Sequence, residues 1–248
     1  MRFRRLASKE IGLVAVFTAL YAVLAFLPMF QLISFFGKTI TASTILAPII
    51  GIILGPYLGP LSAFLGGTIG LGFSPFFSLP SLAAGVTTSL CASLLYSGKR
   101  AHCAIIYLLF LLAFGFYMPI GPAWLYPQMM WFQIIGFIIL VSPLQSMAIK
   151  HLTSGNAAKS LYAFLITSLT STLAGQIAGS LVFEATFWPL IIPTVEGWKA
   201  TWVLLTFVYP LERVTLAVFS VLIGAPLFRV LRSANLMPSA ILERKSTV

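Results

Sequence analysis

The sequence predicts an all-α fold, a polytopic bundle of six to eight membrane helices with both termini cytoplasmic. Three observations predict it. Hydrophobic residues make up 59% of the 248 and charged residues 8%, against about 45–50% and about 25% in soluble domains, and mean hydropathy is +1.02. Apolar runs of about 17–25 residues, the length a hydrocarbon layer asks of a helix, follow one another closely enough to leave no room for a folded soluble domain. The Lys and Arg residues fall between alternate runs, as the retention of basic loops in the cytoplasm produces. Residues 1–248 therefore read as one integral membrane domain in the cell membrane.

The first run, Glu10 to Pro28, follows the basic stretch MRFRRLASK. No small-x-small cleavage site closes it, so it reads as a retained span and not a signal peptide. The second and third runs, Thr39 to Leu54 and Tyr57 to Gly72, are short and joined by the uncharged Gly55-Pro56. They read as two spans or as a hairpin that does not fully cross, which leaves the count between six and eight. Further runs cover Pro80 to Ser97, Ala101 to Met118, Gln128 to Ile149, Leu161 to Phe183 and Lys199 to Phe228, with a cytoplasmic tail over 229–248. Eight crossings assign Arg2, Arg4, Arg5, Lys9, Lys99, Arg100, Lys150, Lys159, Arg229, Arg232, Arg244 and Lys245 to one face, twelve of the fifteen. Lys38 and Lys199 fall on the other, and Arg213 lies inside the last span. The net charge of +10 thus reports topology, and nucleic acid is not an expected partner.

All five tryptophans, Trp124, Trp131, Trp188, Trp198 and Trp202, map to the external side. An interfacial aromatic belt places them there. An outward pocket, where an aromatic plane stacks on a flat ligand, explains their one-sidedness. The candidate binding residues are Trp124, Trp131, Trp188 and Trp202, together with Gln176 and Glu212.

Glu212 is the one acid near the middle of a run, and an ionisable group there is costly unless it functions or is paired. It reads as a ligand contact or as part of an ion-pair network with Arg213, with Pro210 expected to break the helix just before them. Gln176 and Ser180, like Gln128 and Gln133, either orient a polar molecule or bridge helices. Cys91 and Cys103 match no metal spacing and read as packing residues.

Catalytic signatures are missing: the chain has no HExxH, GxSxG or Walker lysine loop, and it has no Asp. The expectation is a non-enzyme without cofactor or metal, any ATP hydrolysis belonging to partners.

Small residues recur. Ala15, Ala19 and Ala22 share a face of the first run, and Gly51, Gly55, Gly59, Gly66, Gly67, Gly70 and Gly72 punctuate the second and third. Such faces let helices approach closely where lipid removes the hydrophobic drive. The stretches AVFTALYAVLAFLP and GKTITASTILAPIIGIILGPYLGPLSAFLGGTIG resemble the membrane-embedded substrate-binding S components of energy-coupling factor (ECF) vitamin transporters. The resemblance covers the first third of the chain: an alanine-rich first helix, a Thr/Ser entry to the second, a G-xxx-GP-xx-G junction and glycines closing the third.

It implies a subunit that binds a vitamin or related micronutrient and docks, through Ala15 and Ala19, on a transmembrane T component served by two cytoplasmic ATPases. Ala22 extends that stripe. It also implies that Thr39 and Thr41 lie near the pocket entrance. S components usually have six helices, so eight runs depart from the pattern. A stand-alone permease or ion-coupled carrier and a membrane scaffold are the other readings. The carrier is expected to show repeated halves, and no repeat is evident.

Overall fold

The computed structural model describes residues 7–30, 39–120, 130–188 and 190–238, so Trp124, Gln128, Lys38 and the terminal basic residues lie outside the described residues. The described chain is almost wholly helical. It runs α1 (Ser8–Leu24), β1 (Pro28–Phe30), β2 (Ile40–Thr41), α2 (Ser43–Phe73), α3 (Leu79–Tyr96), α4 (Arg100–Gly115), α5 (Trp131–Val141), α6 (Pro143–His151), α7 (Ala157–Phe187), α8 (Val195–Leu205) and α9 (Val208–Ser233). The two short strands pair antiparallel. Helices α2, α3, α7 and α9 are long and apolar enough to cross a membrane; α5 and α6, bent by 65°, make a fifth span if taken together. This suits a membrane-embedded protein.

Local chemistry places the helix ends. Glu10 accepts from the Ala7 N–H at 3.1 Å. Asn156 and Thr194 cap α7 and α8 through their side chains, which satisfies donors that a helix start leaves free. Ser142 caps α6, and Pro143 fits its first turn because the missing N–H is not needed there. Gly98, at φ 73, closes α3, with Lys99 N–H reaching back to the Leu94 carbonyl at 2.8 Å.

Helix α2 is two helices. Gly55, at φ 81, leaves the helical conformation, a backbone state that glycine adopts without a Cβ clash, and Pro56 opens the second half. The halves fold back so far that a Cβ on Gly59 would stand 3.0 Å from the Gly51 Cα. The second half then runs alongside α1, with Ser62 donating to the Val14 carbonyl at 3.3 Å and Ser74 to that of Ala25 at 2.7 Å. The first half runs alongside α9, where Ser220 donates to the Ile45 carbonyl at 2.7 Å. Helix α7 lies antiparallel to α3, with Gly175 against Ala84 and Thr88 and Gly179 against Pro80.

The last run is also divided. Its sequence is apolar from Lys199 to Phe228, but the helix stops at Leu205 and restarts at Val208. Pro210 therefore sits in the first turn of α9, where proline is tolerated, and does not interrupt a formed helix. The proline offers no N–H to the Thr206 carbonyl, which accepts instead from Trp131 Nε1 at 3.1 Å.

One end of the bundle gathers most of the described basic residues. Lys9 donates to the Asn235 carbonyl, Arg229 to that of Ala157 and Arg232 to that of Thr153, while Arg100 reaches Leu140 and Ser146. The start of α1 and the end of α9 thus meet at that end. The starts of α2, α3 and α9 and the end of α7 lie at the other.

Candidate functional site

A cavity opens at the end opposite the basic cluster. Its wall is built from Thr39, Ile40 and Thr44 at the entry to α2, and from Ser78, Pro80, Ser81 and Ala84 at the start of α3. The last turns of α7 add Gln176, Gly179, Ser180, Phe183 and Phe187. Helix α8 adds Thr201 and Leu205, and α9 adds Tyr209 and Arg213. Its volume is about 120 Å³, where a single water needs about 10–15 Å³. It has room for a small organic molecule.

The wall leaves several polar groups unpaired among the described residues. Gln176 is 4% exposed, yet among the described residues neither its amide N nor its amide O has a hydrogen-bond partner. The Thr39 hydroxyl and the Arg213 Nε likewise find no partner among the described residues, at 7% and 6% exposure. Buried polar groups are ordinarily paired, and each one left unpaired costs about 1–3 kcal/mol. The Arg213 guanidinium carbon lies 5.7 Å from the centre of the Tyr209 ring, a cation–π distance that holds the charge near the wall. Ile40, Phe183, Phe187 and Leu205 supply the apolar remainder.

Of the residues expected from the sequence, Thr39 and Gln176 lie in this wall, and so does Ser180. Thr41 is buried and shares a 2.7 Å hydrogen bond with Ser43. Trp202 is buried in the core beside the cavity, with Nε1 donating to Glu184 Oε1 at 2.8 Å. Its ring packs edge-on to Phe114. Trp198 is equally buried and donates to the Ile192 carbonyl. Trp131 is partly exposed and tied to Thr206, and Trp188, half-buried, follows the last residue of α7. None of these four tryptophans is in the wall. Glu212 is buried beside it, both oxygens unpartnered, and the wall takes the neighbouring Arg213 instead.

Sequence reasoning gave Arg213 no ligand role of its own and passed over Tyr209, Phe183, Phe187 and the start of α3. A cation inside an apolar span was the available signal. The ring positions carried none, because Phe is common throughout the chain.

On α1, Ala15 and Ala19 are exposed together with Ile11, Val16, Leu20 and Val23, whereas Ala22 is buried with Phe17, Tyr21 and Ala25. The alanine stripe therefore divides between an outer and an inner face. Cys91 and Cys103 are free and buried. Among the described residues no group of three His, Cys, Asp or Glu side chains is placed to hold a metal ion. Compared with protein families, with curated proteins and with solved structures, the chain matches none.

Proposed function

We propose that this chain is the substrate-binding membrane subunit of an ECF-type importer for a vitamin-like micronutrient, a non-enzyme that resides in the cell membrane. The observation that carries the reading is the cavity with buried, unpaired Thr39, Gln176 and Arg213 in its wall. A protein that leaves three such groups without partners gains back their cost when a ligand supplies the missing hydrogen bonds.

Topology supports it. The basic end faces the cytoplasm under the positive-inside rule, with both termini there, and the cavity faces outward. The passes are then eight: α1, the two halves of α2, α3, α4, the bent pair α5 and α6, α7 and α9. Residues 43–54 rise only about 18 Å at 1.5 Å per residue, but nearly all of them are buried by neighbouring helices, so they need not span lipid themselves. The outward face of α1 presents two alanines among larger apolar side chains, a surface on which helices of a transmembrane T component can seat closely. Two cytoplasmic ATPases then drive release of the ligand inward.

The test is affinity purification of the tagged full chain from its native membrane in mild detergent. Recovery of one further membrane protein with two ATPases supports the reading. Recovery of the chain alone favours a solitary carrier or a scaffold.

A further inference from the structure

We infer that the ligand of this cavity carries a carboxylate, received by Arg213 and by the N-terminal ends of three helices. The inference rests on the reading of the cavity as a small-molecule site and names the chemistry of what enters it.

Among the described residues Arg213 is the one charged residue in the wall, and no acid accompanies it there. It is 6% exposed, its Nε has no partner, and no ion pair to it is present among the described residues. A guanidinium in that position is an incomplete arrangement, since a buried cation is stable only when paired and hydrogen-bonded. Its planar donors match a carboxylate better than any neutral group.

Helix geometry adds the same sign independently. Thr44 lies in the first turn of α2, Pro80 and Ser81 in that of α3, and Tyr209 in that of α9, and all four line the cavity. Each such end carries partial positive charge on backbone N–H groups that no helical carbonyl satisfies. The nearest acids on the packed elements lie outside the wall. Glu184 on α7 is engaged by Trp202, and Glu212, next in sequence, acts on Arg213 through its field alone, with no hydrogen bond between them among the described residues. Gln176, with a free donor and a free acceptor, pairs with a polar group elsewhere on the ligand, and Phe183, Phe187 and Leu205 cover an apolar body.

The test uses the full chain purified in detergent and a panel of micronutrient-sized acids, each beside its neutral counterpart: nicotinate with nicotinamide, pantothenate with pantothenol, 3-phenylpropanoate with 3-phenylpropanamide. The ligand-induced rise in unfolding temperature is titrated for the native chain, Arg213→Met and Arg213→Lys. The expected result is that at least one acid binds, its neutral counterpart binds at least tenfold more weakly, Arg213→Met loses roughly 10- to 100-fold of the acid affinity, and Arg213→Lys keeps the preference for the acid. Should Arg213→Met not fold, the preference retained by Arg213→Lys and lost in Arg213→Gln reads the same point. A neutral compound that binds as tightly as its acid, with affinity that survives Arg213→Met, overturns the carboxylate inference and leaves the site standing. Failure of every compound to bind overturns both.

Discussion

Gly51 and Gly59 meet across the turn at Gly55, where a side-chain carbon on Gly59 would stand 3.0 Å from the Gly51 Cα. Gly51 also faces the backbone carbonyl of Ser89 on α3, closely enough that any Cβ must displace it. Three helical segments therefore converge on one residue without a side chain.

The first expectation concerns that junction. Gly51→Ala loses about 1–3 kcal/mol through overpacking against a backbone that cannot swing aside, an apparent melting temperature lower by roughly 5 °C. Gly12→Ala and Gly72→Ala, where nothing stands within 4 Å of the new carbon, leave it unchanged or slightly higher. Thermal unfolding of the three variants in one detergent checks this; equal effects at all three positions would count against the packing described.

Gln176 separates binding from folding. Its amide has no partner in the wall, so Gln176→Leu leaves stability unchanged or raises it, while ligand affinity falls roughly 10- to 100-fold as the ligand's polar group loses its partner. A Gln176 that bridges helices behaves in the opposite way: its loss lowers the melting temperature and spares binding.

Trp202 and Glu184 form a buried pair at 2.8 Å beside the cavity. Trp202→Phe leaves both Glu184 oxygens without a donor, since Oε2 has none already, and costs about 1–3 kcal/mol. Adding Glu184→Met to that variant restores part of the loss, because the stranded carboxyl is gone. A double-mutant cycle in thermal unfolding measures the coupling, and purely additive effects would argue that the pair is not formed.

On α1 the alanines have different duties. Ala19→Leu, on the exposed face, is expected under the proposed function to keep ligand affinity and melting temperature and to lose co-purification of the proposed T component and ATPases. Ala15→Leu behaves alike. Ala22→Leu, at 7% exposure against the core, lowers stability by about 1–3 kcal/mol through overpacking.

Glu212 is the neighbouring acid whose field Arg213 feels, although it makes no hydrogen bond and lies outside the wall. Glu212→Gln leaves Arg213 with less compensation in the empty protein, so the apo melting temperature falls and the rise on adding an acid ligand grows. A drop in acid affinity as large as that of Arg213→Met would instead make Glu212 a ligand contact.

The helices were legible in the sequence to the extent that period and length speak for them. The Gly55-Pro56 junction announced two segments where hydropathy alone gives one, because only glycine takes φ 81 readily and proline starts the next helix. The break between Leu205 and Val208 was signalled only by Pro210 nearby, since Thr206 and Phe207 between the two helices include no Gly or Pro. The wall was half legible: a Gln or Arg in an apolar run stands out, but the unpaired state of Gln176 and Arg213 depends on which helix faces them. The environment of the tryptophans depends on packing in the same way. Trp198 and Trp202 lie near the cavity, yet their N–H groups are spent on Ile192 and Glu184.

The most direct measurement is mass spectrometry of the small molecules released from the native chain and from Arg213→Met, both purified from the native membrane in amounts matched for folded protein. The account predicts a micronutrient-sized carboxylate retained near one per chain by the native protein and missing from the variant. Equal retention by both, or a native chain that carries no small molecule before or after incubation with the acid panel, would contradict it.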